Sequence, residues 1–570
     1  MHSRNPYRLP PDFKALACSH PPLAKHLQGD TIDFHDDAAQ RCLTQALLKR
    51  DFNLDIQLPP DRLCPPVPNR LNYVLWIQDI VSNFRDAVRF VSGTGEVTVR
   101  GLDIGTGASA IYPLLACTLE PTWTFVATEL DDRSFTYARD NVRSNGLSDR
   151  IRVVKIDANM SDSAISGPDG RVGEPYFGFD RLLAGAWDGD GNAGYRSDYY
   201  LEPMISAKQE AETDDGAEIQ FTMCNPPFYS SAEDVAQSEA RKEHTAFGVC
   251  TGAPVEMITP GGEAWFVGTM VRESVGLRKT QEVGAGIVEL DDGRGKRRRV
   301  DGEATQATEA AVTAEVSTLS PETTTAQRKE KRKVLRWYTS MLGKLSSVVE
   351  VVDIFKELGI TNYAITEFVQ GHTRRWAVGW SVGPWRLGDD IARITNPNPT
   401  LQRLLPPRNT LRSTVGVVRG DIGERLLGVL SSVEGARVTL LDETEGTGGG
   451  SGAGDDATNG QDTVPKSVVC KLVVSVASDT WSRAARRKRK RGDAQGDALA
   501  GDAAACFTPA EVRSDPALVC AITVLSGGQG TELDMEVRWL YGRNRALLES
   551  FASHVGKKVR LEMVAIGGVR

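Results

Sequence analysis

The sequence predicts an α/β fold built around a parallel sheet, on three observations in chain order. Val97-Thr98-Val99-Arg100-Gly101-Leu102-Asp103-Ile104-Gly105-Thr106-Gly107-Ala108-Ser109 reads as a strand, a glycine turn and the start of a helix that continues through Ala110-Ile111-Tyr112-Pro113-Leu114-Leu115-Ala116. A second apolar run, Thr124-Phe125-Val126-Ala127-Thr128, ends in Glu129. A third, Ile219-Gln220-Phe221-Thr222-Met223-Cys224, leads into Asn225-Pro226-Pro227-Phe228. Short apolar runs bounded by turn residues are buried strands, and strands alternating with helical patterns make βαβ units.

Each element carries its own chemistry. Gly105 and Gly107 let the backbone approach a ligand where a Cβ would collide. An acidic residue at the end of the second strand is where nucleotide-binding α/β folds grip ribose hydroxyls, which gives Glu129 a role. The third glycine of the dinucleotide fingerprint is missing, which argues against NAD and for S-adenosylmethionine, a ligand with no pyrophosphate to cradle. The Asn225 side-chain oxygen and the carbonyl of Pro226 can together accept both hydrogens of an exocyclic amino group. Pro226 and Pro227 fix the backbone so that the acceptors converge, and Phe228, or its neighbour Tyr229, can stack on a flat ring. Alone, Asn-Pro-Pro-Phe is equally a turn; after the glycine turn and the acidic strand end it points to methyl transfer onto an amino nitrogen such as adenine N6. A further strand, Ile151 to Ile156, ends in Asp157, either a contact to the cofactor adenine or a loop carboxylate. Asp132 to Leu147 is a crossover helix that packs on the sheet.

The sequence resembles the methyltransferase-like 16 family, the U6 small nuclear RNA adenine-N6 methyltransferases. The resemblance rests on Met1 to Tyr7 with Pro10 to Phe13, Val67 to Tyr73, Asp103 to Leu114, Asn225 to Phe228, Leu335 to Lys344 and Thr366 to Trp376. It implies a Rossmann-like class I S-adenosylmethionine-dependent methyltransferase core, with an N-terminal helical RNA-binding arm and a C-terminal α+β domain. It implies that Arg70, Gly105, Glu129 and Asn225 hold the cofactor, Gly107 sharing the same turn. Arg70 would pair with the methionine carboxylate, although from the residues alone it is equally a surface salt bridge. RNA would be gripped by Pro10, Pro11, Asp12 and Phe13, by the stretch from Gly343 through Lys344 to Ser347, and by Gln370, Arg374, Arg375 and Trp376. The last group mixes phosphate contacts with a stacking ring; it is also compatible with a cation–aromatic pair in a strand. His372 stands where animal relatives carry arginine. Asp157 to Met160 lacks the lysine of the animal loop that hinders cofactor access. For U6 RNA the target would lie in the segment that pairs with the 5′ splice site.

The 570 residues suffice for two or three domains. Residues 1–95 read as an arm plus helices, including Ala38 to Arg50 and Tyr73 to Val91, with Arg4 and Arg8 either touching RNA or solvated. Residues 96–385 read as the catalytic core, with a Gly- and Asp-rich insertion at 159–218 expected to be partly ordered and one at 283–325 whose composition suits disorder. Residues 386–412 read as a linker, and 413–570 as an antiparallel α+β domain with low-complexity loops at 443–460 and 492–505.

No apolar run is long enough to cross a membrane, and the N-terminus has no apolar signal segment. Nine cysteines without Cys-x-x-Cys spacing argue against a metal site and a disulfide framework and fit a reducing compartment. The net charge of −8 is distributed unevenly, and basic runs at Lys296–Arg299, Arg328–Lys333 and Arg483–Arg491 are local phosphate-binding candidates. The last reads as a nuclear localisation signal, an RNA clamp or both, against a merely solvated run; the expected compartment is the nucleus, with the cytoplasm as a second. The expected function is transfer of a methyl group to an adenosine of U6 small nuclear RNA in pre-mRNA splicing. The alternatives are a non-catalytic structured-RNA-binding module and a methyltransferase acting on ribosomal RNA adenine, DNA adenine or protein glutamine. Oligomeric state is not legible.

Overall fold

The computed structural model describes residues 1–92, 98–156, 219–242, 252–284, 335–371, 373–416, 421–441, 467–482, 485, 487, 516–526 and 532–566. The calls on Asp157, His372, both large insertions, both low-complexity loops and most of Arg483 to Arg491 lie outside these residues. No helix among the described residues is long and apolar enough to cross a membrane.

Seven strands form the central sheet: β1 (Arg100–Ile104), β2 (Thr124–Glu129), β3 (Ile151–Lys155), β4 (Ile219–Cys224), β5 (Leu335–Leu342), β6 (Tyr363–Gln370) and β7 (Thr373–Trp380). Their order is β3-β2-β1-β4-β5-β7-β6, parallel from β3 to β5, with β7 antiparallel to both its neighbours. The chain moves outward from β1 to β3, then returns to the other side of β1 with β4. This reversal opens a crevice at the carboxyl ends of β1 and β4, where open α/β sheets bind ligands. Ile104 pairs with Cys224, so Gly105 and Asn225 leave the sheet side by side.

Helices cover both faces. On one lie α1 (Phe13–Ser19), α2 (Asp37–Phe52), α3 (Val67–Ser92), α4 (Ile111–Leu119) and α5 (Asp132–Ser144). All five share a core with Phe125, Phe221, Trp337 and Ala377 of the sheet. On the other lie α7 (Gly262–Gly284) and α8 (Leu345–Glu357), whose Val267, Met270 and Val351 pack under Tyr338 and Trp380, while α6 (Ala232–Lys242) follows the loop after β4. The N-terminal arm is therefore part of the core. Asn5, 2% exposed, donates to Pro68 O and Asn72 Oδ1. Arg4, offered by the sequence to RNA, instead donates to Gln78 Oε1 and Leu75 O and pairs with Asp79 of α3.

The expected linker is not one. Within 386–412, Leu387, Ala392, Leu401 and Leu404 are buried and two short helices form, Asp389–Ala392 and Pro399–Leu404. The Asn-Pro-Asn-Pro composition that reads as a linker starts a helix instead: Asn398 caps it, accepting from Thr400 N and Leu401 N, and Pro399 supplies the first turn.

The C-terminal region is the expected α+β domain. Strands β8 (Thr410–Gly416), β9 (Ala436–Leu440), β10 (Ser467–Val476), β11 (Leu518–Ser526) and β12 (Leu533–Tyr541) form an antiparallel sheet in the order β8-β12-β11-β10-β9. Two helices, α9 (Ile422–Ser431) and α10 (Arg545–Ile566), pack on it. The sequence reading missed α9, although Asp421 is its cap and Ile422, Leu426, Val429 and Leu430 carry helical spacing.

Part of the opposite face of this sheet docks on the catalytic core. Ala87 of α3 is buried with Val473, Val519, Ala521, Leu540 and Tyr541. Arg336 lies 4.2 Å from the Phe84 ring centre and 5.2 Å from that of Trp385, and Trp385 meets Tyr541 edge-on at 4.8 Å. Arg386 stacks 3.9 Å from the Trp539 centre, donates from Nε to Gly542 O at 3.0 Å, and has its pKa lowered to about 10 by burial and then by Arg543 and Arg545. Arg386→Ala removes that bond and that stacking and orphans a buried carbonyl, a loss of about 2–4 kcal/mol. Urea unfolding is expected to show it, and limited proteolysis of the variant is expected to release the C-terminal domain; wild-type behaviour in both assays would contradict the seam.

Candidate active site

The crevice begins at the glycine turn. Gly105, Gly107 and Ala110 all take positive φ, at 69°, 67° and 47°. A Cβ on Gly105 would meet nothing within 4 Å, and one on Gly107 only Glu256 Oε1 at 3.9 Å. Their backbone therefore demands glycine, and the space beside it is open. Glu129 is pinned below the turn. Its Oε2 accepts from Gly107 N at 2.8 Å, and its Oε1 accepts from Leu130 N and Asp131 N at 2.8 and 2.9 Å. Burial pushes its pKa up while these amides pull it down. The remaining lone pairs suit the hydroxyls of a ribose.

Arg70, in the first turn of α3, is buried. Its Nη1 donates to Asn225 Oδ1 and to Tyr112 Oη, both at 2.9 Å, and its Nε has no partner. The surface-salt-bridge alternative is thereby removed. Asp103, in the middle of β1, was not singled out from sequence. It is fully buried, and neither of its carboxylate oxygens has a hydrogen-bond partner among the described residues. Burial pushes its pKa up to about 7, with the Thr106 hydroxyl pulling down, Glu129 pushing up and Arg70 pulling down. An unpartnered buried carboxylate calls for a cation. Arg70 and Asp103 thus offer opposite charges to the carboxylate and ammonium of an amino acid, and S-adenosylmethionine has both. Glu256 adds an acceptor: its Oε2 takes Leu63 N and Ala253 N, both at 3.0 Å, and its Oε1 faces the glycine turn.

The acceptor side starts at Asn225, which is half-buried, as are Pro227 and Phe228; Pro226 is buried. Backbone bonds from Tyr229 N to Met257 O and from Thr259 N to Tyr229 O tie the loop to the chain ahead of α7. The Arg375 guanidinium sits 5.7 Å from the Phe228 ring centre. Lys344 Nζ lies 5.7 Å from the Tyr229 ring centre and 3.3 Å from Asp234 Oδ2. Cys224 is buried, and burial raises its thiol pKa far out of the nucleophilic range, in keeping with a core role.

Strand alternation divides the remaining sequence candidates. Arg375 pairs across to Phe368 and Thr373 to Gln370, so Gln370 and Arg375 share the face that carries Phe368 and Ala377, packed towards α3. Arg374 and Trp376 point the other way. Arg374 pairs with Glu367 at 3.0 Å, and Trp376, only 8% exposed, packs with Val378 and Tyr338. Trp376 is therefore largely covered and turned to the face opposite Phe228, in contrast to the open stacking ring expected from the sequence. A 530 Å³ pocket lined by Leu345, Glu367, Arg374, Trp376, Asn396 and Asn398 opens on that same face. Pro10 to Phe13 form the start of α1: Asp12 accepts from Lys14 N and Ala15 N, and Phe13 meets Phe34 edge-on at 6.2 Å.

Asp103 has a pH signature. Its folded pKa lies above its unfolded value near 4, so its contribution to the stability of the ligand-free protein is fully present below about pH 4 and lost as pH rises through about 7. Relative to Asp103→Asn, the ligand-free wild type is expected to lose on the order of a few kcal/mol between pH 4 and 8, read from thermal unfolding across that range. Parallel profiles would contradict the unpartnered carboxylate.

Residues 1–165, 208–284 and 308–383 match the model of a family described as RNA methyltransferase. The chain is 32% identical over 424 residues to the RNA N(6)-adenosine-methyltransferase METTL16 of Gallus gallus, covering 73% of this chain and 56% of that protein. It is 29% identical over 377 residues to the U6 small nuclear RNA (adenine-(43)-N(6))-methyltransferase of Schizosaccharomyces pombe, covering 65% of this chain and 67% of that one. The crystal structure of the hMettl16 catalytic domain in complex with MAT2A 3′UTR hairpin 1 aligns at 30% identity and a TM-score of 0.43, over 67% of this chain and 95% of that one. The chain therefore spans little more than half the length of the METTL16 relatives it matches. The matched segments contain Arg70, Asp103, the glycine turn, Glu129, Asn225 to Phe228 and Arg375, and on that match the chain belongs to this RNA methyltransferase family.

Proposed function

We propose that the chain transfers a methyl group from S-adenosylmethionine to N6 of an adenosine in RNA, with U6 small nuclear RNA as its substrate, and that it does so in the nucleus in support of splicing. The observation that carries this is the Arg70–Asn225 hydrogen bond, which joins the cofactor-side cation directly to the residue expected to hold the acceptor amine. Relatives from three further organisms bear names that specify U6 RNA or RNA N6-adenosine.

The cofactor supplies a methyl group on a sulfonium, already an activated leaving group, so the protein's task is positioning. Arg70 and Asp103 hold the amino-acid end, and Glu129 and Glu256 the adenosine end. Asn225 Oδ1 keeps a second lone pair beside the one that Arg70 uses, and with the Pro226 carbonyl it accepts the two N6 hydrogens and aims the nitrogen lone pair. The base must leave its stack to reach this depth. Phe228 offers it a face, and Arg375 and Lys344 at the rim offer charge to the flanking phosphates.

Purified protein would be incubated with labelled S-adenosylmethionine and total small RNA, and the modified nucleoside mapped. The expected product is N6-methyladenosine at one U6 position. Methyl on ribosomal RNA or protein instead would overturn the target, and no transfer with tight RNA binding would overturn the activity. Asn225→Ala is expected to lower kcat at least about 100-fold with RNA affinity unchanged, since it removes one of the two acceptors; near wild-type turnover would sink the role given to Asn225.

A further inference from the structure

The stretch from Pro254 to Glu263, at the start of α7, belongs to none of the site motifs, yet it touches both ends of the crevice. Glu256 faces the glycine turn. Seven residues later Glu263, in the first turn of α7, reaches the acceptor end. Glu263 is 2% exposed. Its Oε2 accepts from Gly343 N at 2.6 Å and its Oε1 from Lys344 N at 2.9 Å, so two consecutive amides of the turn after β5 close on one carboxylate. The turn in turn abuts the acceptor loop: a Cβ on Gly343 would lie 3.1 Å from Phe228 Cδ1 and 3.3 Å from Glu263 Oε2.

We propose that Glu263 is a positioning residue for the acceptor base, holding the Gly343–Lys344 turn against Phe228 so that the ring stands at a fixed angle over Asn225. The inference rests on the acceptor-side reading above. A carboxylate accepts with both oxygens from two adjacent N–H groups, whereas a glutamine would turn an NH₂ against one of them. Burying that carboxylate is costly, and the two amides offset the cost. The pinned turn fixes more than Phe228. Lys344 is its second residue, and its ammonium is thereby set between the Tyr229 ring and Asp234. Gly343 has no positive φ, so glycine there is required by the contact with Phe228 and not by the backbone.

The test uses the full chain with Glu263→Gln and, independently, Gly343→Ala. Both variants are expected to lose at least tenfold in kcat, while the Kd for S-adenosylmethionine stays within threefold. The double variant is expected to be little worse than either single one. Amide hydrogen exchange at 226–230 and 343–347 is expected to quicken in Glu263→Gln, with thermal stability of the remainder retained. Unchanged exchange in both stretches would overturn the proposal whatever the methyl acceptor proves to be. Unchanged kcat, or a parallel loss of cofactor affinity, would also overturn it. A failure of the wild type to methylate any RNA would speak against the proposed function alone, since the exchange measurement still decides the role of Glu263.

Discussion

Arg70 is a buried cation with no ion-pair partner among the described residues, and the layout of the crevice follows from how it is accommodated. Taking a guanidinium out of water costs several kcal/mol unless its donors are used. Nη1 is satisfied by Asn225 Oδ1 and Tyr112 Oη, and the Tyr112 hydroxyl in turn donates to Met341 Sδ at 3.1 Å. Nε is left over. The arrangement is stable enough to fold and incomplete enough to need a ligand. The same holds with opposite sign for Asp103, a carboxylate buried beneath the glycine turn that lacks an ion-pair partner among the described residues and feels only the Thr106 hydroxyl and, at longer range, Arg70. On the proposed function, a zwitterionic amino-acid end of the cofactor would complete both groups at once.

The topology makes this possible. Because β1 and β4 are parallel neighbours reached from opposite directions, the ends of two distant segments meet: the glycine turn after β1 and the Asn-Pro-Pro-Phe loop after β4. α3 lies across them and brings Arg70 from a third segment. Its far end, at Phe84 and Ala87, carries the C-terminal domain. One helix therefore touches the cofactor crevice at its start and the docked domain at its end. The N-terminal arm, stapled to the middle of that helix through Asn5, Arg4 and His2, keeps it in place.

The readable parts of the sequence were those in which local pattern and chemistry coincide. β4 sets Ile219, Phe221, Met223 and Cys224 around Gln220 and Thr222 and is stopped by Asn225 and two prolines, and all six of its residues are buried. The glycine turn announces itself because only glycine tolerates those φ values. What escaped depends on registers and partners that no local pattern carries. Arg374, Arg375 and Trp376 look like one cluster in sequence, but a strand sends alternate residues to opposite faces and only Arg375 reaches Phe228. Asp103 was visible as a lone charge inside an apolar strand, a warning that sequence reasoning passed over. Glu263 reads as an ordinary acidic residue in a first helical turn; its real partners lie 80 and 81 residues away. The segment 386–412 misled by composition, since asparagine and proline both end chains of regular structure and begin helices.

The claim on which the rest depends is that Arg70 and Asn225 act as one unit. A double-mutant cycle on S-adenosylmethionine affinity tests it directly, by titration calorimetry of wild type, Arg70→Lys, Asn225→Ala and the double variant. Coupling of about 1–3 kcal/mol is expected, the double variant binding little worse than the weaker single one. Losses that add to within about 0.5 kcal/mol would mean that the two residues meet the cofactor independently, and would contradict the view that their hydrogen bond organises the crevice.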